Sequence, residues 1–290
     1  MTPNRILPFR PGFLRPQRLH RFVLVLVAAV IGAALAGCAE KRPATPVHLA
    51  APPVEQSPQP APPAGGAAGK GAQAAYDQGA AAYMRQDYEK AVTLFTDALA
   101  IDNNMAPAYN NRGVASYALG QYDKAGADFA AAVKLGGKGS AAALFNRALA
   151  YQAQDDYDRA MADYDRVIAM DPGFAAALNN KADILIGLHR YEEALAALDA
   201  AVRVAPGDPD LYYNRALVRE RLGQYPQATE DYDRATKIRA NFAQAYRNRG
   251  VLRLRLQMTS EGCADLGLAC KMGLCSHLEK ARNFGLCQQQ

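Results

Sequence analysis

At 290 residues the chain has room for one or two domains, and its formal charge of +5 invites a nucleic-acid or membrane reading. That charge is an end effect: Arg5, Arg10, Arg15, Arg18 and Arg21 precede Cys38 with no acid or lysine among them, and beyond that point basic and acidic residues balance. A balanced body removes the electrostatic case for a nucleic-acid partner, and none is expected.

Residues 22–36 form an uncharged apolar run, Phe-Val-Leu-Val-Leu-Val-Ala-Ala-Val-Ile-Gly-Ala-Ala-Leu-Ala. It is short for a membrane span, which takes about 20 residues, and suits the apolar region of a signal peptide. Leu35-Ala36-Gly37-Cys38 follows directly and resembles the lipobox of bacterial lipoproteins. The resemblance implies removal of residues 1–37 and a covalent lipid on Cys38, the only non-protein group expected; no cofactor or metal is. Several acyl chains anchor stably where one does not. Ala39, not Asp, follows the cysteine. By the same resemblance this favours the outer membrane, with the folded part in the periplasm.

Residues 38–71 carry Pro43, Pro46, Pro52, Pro53, Pro58, Pro60, Pro62 and Pro63, then Gly65, Gly66, Gly69 and Gly71. No apolar period runs through them, so they read as an extended, disordered tether. At about 3.1 Å per residue such a tether reaches at most roughly 100 Å.

From residue 72 to 272 the chain repeats. Ala91, Ala125, Ala160, Ala194, Ala228 and Gly262 recur at spacings of 34, 35, 34, 34 and 34. Four residues after each stands Phe95, Phe129, Tyr164, Leu198, Tyr232 or Leu266, and twelve before each stands Gly79, Gly113, Ala148, Ala182, Ala216 or Gly250. Pro172 and Pro206 close the third and fourth units. The extra residue lies in the glycine-rich stretch before Ser140, where glycines end one helix and Ser140 caps the next.

The pattern resembles the tetratricopeptide repeat. It implies an all-α, right-handed superhelical solenoid of about six helix pairs plus a C-terminal capping helix over residues 273–290. Small residues let paired helices approach closely, and a single pair cannot bury its own apolar face, so stacking is obligatory. Tyr109, Leu144, Leu178, Tyr212 and Tyr246 stand where the family usually has Trp.

Two polar columns run through the repeats. Arg112, Arg147, Arg215 and Arg249 each have an aspartate sixteen residues on, at Asp128, Asp163, Asp231 and Asp265, while the units with Gln78 and Lys181 have none there. A helix pair that turns midway brings these columns together, so bidentate Arg–Asp bridges are expected. The residue before each is Asn111, Asn146, Asn180, Asn214 or Asn248. The family resemblance places that face on a concave groove, as in the asparagine ladder of O-linked N-acetylglucosamine transferase, which grips peptide backbone. Asparagine both donates and accepts, matching a peptide unit. The competing expectation is that these amides bond within their own helix or to a neighbouring repeat. The columns of the family's carboxylate clamp are not matched, which argues against a C-terminal carboxylate ligand.

Cys263, Cys270, Cys275 and Cys287 remain after Cys38. An even number in an exported chain points to disulfides. Two helices antiparallel about Gly273 would pair Cys270 with Cys275 and Cys263 with Cys287, one of three possible connectivities. The spacing lacks the close doublets of zinc sites. Arg239, Arg247, Arg249, Arg253 and Arg255 cluster just before the cap, as a solvated face or a surface for an acidic partner.

No nucleophile–base pair, paired carboxylate site or phosphate loop stands out, so an enzyme is not expected. The leading expectation is an envelope scaffold or adaptor that binds extended segments of other proteins. Resemblance to repeat lipoproteins suggests peptidoglycan hydrolases or secretion and pilus components as partners. An assembly factor for such a machinery or for outer-membrane proteins, and a structural lipoprotein without groove binding, are the alternatives.

Overall fold

A computed structural model describes residues 67–136 and 141–287. The signal segment, Cys38, the tether up to residue 66 and the loop at 137–140, with the expected cap at Ser140, lie outside them. Every element among the described residues is α-helical. The first pairs are α1 (Ala67–Met84) with α2 (Tyr88–Ile101), α3 (Ala106–Ala118) with α4 (Tyr122–Gly136), and α5 (Ala141–Ala153) with α6 (Tyr157–Met170). There follow α7 (Ala175–Gly187) with α8 (Tyr191–Val204), α9 (Pro209–Arg221) with α10 (Tyr225–Ile238), α11 (Ala243–Arg255) with α12 (Thr259–Lys271), and α13 (Ser276–Asn283). Two compact units divide after Ile238. The first holds the pairs from α1 to α10, and the second holds α11, α12 and α13.

In the first unit each helix packs on the next along the chain, within and between pairs. The fold is an all-α solenoid of tetratricopeptide type. Helix α1 starts at Ala67, earlier than the tether boundary at residue 71 allows, and takes Gly69 and Gly71 into the helix. Packing overrides the poor helix propensity of glycine here. Ala72 is fully buried in a cluster with Ala98, Leu99, Met105 and Ala108, and a Cβ on Gly71 would stand 3.6 Å from Ile101.

The small-residue column sets how close the two helices of a pair come. A Cβ on Gly79 would lie 2.9 Å from the Phe95 ring, and one on Gly113 would lie 2.7 Å from the Phe129 ring. In the second unit Gly250 and Gly262 face each other backbone to backbone: a Cβ on either would sit 3.0 or 2.9 Å from the other's carbonyl oxygen. Where the column is Ala148, Ala182 or Ala216, the residue above it is Tyr164, Leu198 or Tyr232, all fully buried.

The turn inside each pair needs one residue in the left-handed region. Gln86, Gly120, Asp155, His189, Gly223 and Gln257 all have φ between 58° and 73°. Two of the six are glycine and four accept the strain of a side chain there. Asp87 and Asp156 then cap α2 and α6, accepting from the backbone N–H of Lys90 and Arg159. Pro226 occupies the first turn of α10, where its missing donor costs little.

Candidate functional site

The Arg and Asp columns meet in all four units that carry both. Arg112 Nε and Nη2 donate to Asp128 Oδ2 and Oδ1 at 2.8 and 2.7 Å. Arg147 grips Asp163 at 2.7 and 2.8 Å, and Arg215 grips Asp231 at 2.9 and 2.7 Å. In the second unit Arg249 holds Asp265 at 2.8 and 2.5 Å. All four aspartates are buried, so each guanidinium neutralises a carboxylate held away from water. The hydrogen bond to Asp128 pushes the Arg112 pKa up, and that to Asp163 does the same for Arg147.

These arginines also tie repeats together, which the sequence columns did not suggest. Arg112 Nη1 reaches Thr96 at 3.2 Å and Arg215 Nη1 reaches Asp199 at 2.8 Å, each on the second helix of the preceding pair. Lys181 has no aspartate ahead of it and turns back instead to Asp165 at 2.5 Å. A second arginine joins the bridge in three places: Arg219 donates to Asp231 at 2.8 Å, Arg253 to Asp265 at 2.7 Å and, at a long 3.5 Å, Arg166 to Asp163. Tyr109, Tyr212 and Tyr246, in the family's Trp column, lie under the guanidinium groups of Arg112, Arg215 and Arg249 at 5.5, 5.5 and 5.1 Å. Their role therefore exceeds filling volume.

The asparagine column divides. Asn146 is fully buried, and its amide donates to Asn110 Oδ1 at 3.1 Å. Asn110 donates to Asn111 at 3.2 Å, and Asn111 to the Tyr76 hydroxyl at 2.9 Å. Asn214 is buried and donates to Asn179 Oδ1 at 2.8 Å. Asn248 accepts from Arg247 at 3.1 Å. Asn111, Asn146 and Asn214 thus each donate to the preceding repeat, as the competing expectation of local bonding has it. Asn111 and Asn180 stay half-buried at the surface of the first helices.

A further polar link was not anticipated. Tyr164 donates to Gln152 at 2.8 Å and Tyr232 to Glu220 at 2.5 Å, each from the second helix back to the first. The signal is in the sequence: tyrosine replaces Phe or Leu in that column only where the residue twelve places earlier is Gln or Glu. Burial drives the Tyr164 hydroxyl pKa strongly upward, so it remains a proton donor.

Four of the acidic residues in and around α6 have partners. Asp155 accepts from Tyr157, Asp156 pairs with Arg159, Asp163 with Arg147 and Asp165 with Lys181. Of the arginines before the cap, Arg249 and Arg253 share Asp265, Arg247 bonds Asn248, and Arg239 stacks on Phe242 at 4.7 Å. No group of three or more potential metal ligands occurs among the described residues.

The cysteines pair as Cys263–Cys287 and Cys270–Cys275. The segment after Gly273 folds back on α12, bringing both pairs within bonding reach.

Family models for the tetratricopeptide repeat match residues 76–140, 110–174 and 145–209, and a second form of the model matches 181–245. Together they cover more than half of the chain. The chain belongs to the tetratricopeptide-repeat family. The helix pair α11–α12, largely beyond the matched residues, completes a sixth repeat in this tetratricopeptide-repeat protein. Among solved structures the protein resembles PilF of Pseudomonas aeruginosa, with 15% identity, a TM-score of 0.64, and coverage of 74% of this chain and 98% of that one. It also resembles MamA from Desulfovibrio magneticus RS-1, with 20% identity, a TM-score of 0.53, and coverage of 61% and 97%. YrrB, a repeat protein with an unusual peptide-binding site, aligns at 18% identity with a TM-score of 0.54, covering 65% and 97%. At these identities the likeness is one of fold. No curated protein sequence matches the chain.

Proposed function

We propose that this protein is a lipid-anchored scaffold of the bacterial cell envelope, which holds another envelope protein by an extended segment laid along the first helices of its repeats. The observation that carries the reading is the rigid stack itself. Arg–Asp bridges and Tyr–Gln links lock the two helices of a repeat together, and in the first unit Asn–Asn ties and the reach of Arg215 to Asp199 hold repeats on their neighbours. A pre-ordered surface binds a flexible segment without having to order itself.

The burial of Asn146 and Asn214 narrows the contact set. Direct contact falls to Asn111, Asn180 and the exposed residues around them. The lipobox-like Leu35-Ala36-Gly37-Cys38 supports anchoring at Cys38, and the paired cysteines support folding in an oxidising compartment such as the periplasm. Ala39, in place of Asp, supports an outer-membrane site under the lipoprotein sorting rule.

Affinity isolation of the full-length protein from solubilised envelopes tests the reading. A peptidoglycan hydrolase as the stoichiometric companion supports the adaptor role. Secretin, pilus or outer-membrane assembly components would support an assembly factor instead. Recovery with no specific companion would leave a structural lipoprotein and defeat the scaffold.

A further inference from the structure

The second unit ends in a short element. Helix α13 has eight residues, below the length at which a helix sustains itself in water. Its buried side chains are His277, Leu278 and Ala281. That is little apolar burial against the conformational entropy of ordering everything from Ser276 to Cys287. Yet the segment closes a real core: Leu278, Ala281 and Cys287 pack on Leu254 and Leu266. Gly285, at φ 74°, turns the chain so that Cys287 re-enters this cluster, 4% exposed, and reaches Cys263 on α12. Cys270–Cys275 pins the turn at the other end of the helix.

We infer that the C-terminal cap is a redox-conditional lid: α13 covers the apolar end of the sixth repeat while its disulfides are closed, and leaves it when they are reduced. The reductant is a dithiol, either a small molecule or the active site of a thiol–disulfide exchange protein. Its thiolate attacks one Sγ and displaces the other as a protein thiol, forming a mixed disulfide. Its second thiol then resolves that bond, so two electrons and two protons reach each cysteine pair and the donor becomes a disulfide. Release uncovers Leu254 and Leu266, which are otherwise buried. Of the two bonds, Cys263–Cys287 is the latch. It ties the far end of the segment across a sequence separation of 24, against 5 for Cys270–Cys275, and a cross-link restrains the open chain more as the loop lengthens.

Hydrogen exchange read by mass spectrometry on the full-length protein tests this, before and after dithiothreitol, with four new thiols counted by alkylation. Reduction should speed exchange in peptides covering 276–287 by at least about tenfold while peptides from α7 to α9 keep their protection. The Cys263→Ser/Cys287→Ser variant should show the same exposure without reductant, and Cys270→Ser/Cys275→Ser a smaller one. Unchanged protection of α13 with all four thiols free would overturn the inference. So would loss of protection throughout the protein, or wild-type protection of α13 in the Cys263→Ser/Cys287→Ser variant.

Discussion

At the scale of single residues, the stack depends on atoms that are absent as much as on those present. Gly113 lies under Phe129 so closely that an added methyl would stand 2.7 Å from the ring. Gly113→Ala therefore pushes the ring or separates α3 from α4, and should lower stability by about 1–3 kcal/mol in urea denaturation despite the better helix propensity of alanine. The Arg–Asp bridges allow a graded comparison. Asp163 is held by Arg147 and otherwise only by Arg166 at a long 3.5 Å, whereas Asp231 keeps Arg219 if Arg215 is lost. Arg147→Ala should cost about 2–3 kcal/mol, because it strands a buried carboxylate. Arg215→Ala should cost visibly less in the same assay; equal losses would show that Arg219 does not share the load. This bridge was legible in the sequence because both residues sit at a fixed spacing inside one repeat. The partners of Asn146 and Asn214 were not. They lie 36 and 35 residues back, and which face of one repeat meets the next depends on the rotation between repeats, which a period alone does not encode.

At the scale of elements, the six intra-pair turns carry the same left-handed residue, and four of them fill it with Gln, Asp or His. Glycine at Gly120 and Gly223 advertises the conformation; Gln86 and Gln257 conceal it, so the shared backbone shape emerges only in three dimensions. Gln86→Gly removes the Cβ strain and should raise stability by about 0.5–1 kcal/mol, measured as a higher urea midpoint. A fall would mean that Gln86 contributes a contact outweighing the strain. The start of α1 at Ala67 has a similar origin. Two glycines and the prolines before them read as linker, yet burial of Ala72 against α2 draws the chain into helix. The Tyr164 and Tyr232 links, by contrast, were missed although their signal, Gln152 and Glu220 twelve places earlier, is visible on aligning the repeats.

At the scale of the whole molecule, the proposed function divides between a lipid anchor at Cys38, outside the described residues, and a receptor built from repeats. Cys38→Ala should leave helix content unchanged and move the protein from the membrane pellet to the soluble or inner-membrane fraction on envelope fractionation. Persistence in the outer membrane would contradict the lipid anchor and leave the repeats untouched. The receptor is tested most directly by placing a photo-reactive residue at Asn180, on a first helix, and separately at Ala196, exposed on a second helix, in the membrane-bound protein. Irradiation in intact cells should yield one discrete crosslinked envelope protein from the Asn180 position and little from Ala196. Equal yields from both positions, or a product from Ala196 alone, would contradict a partner held along the first helices.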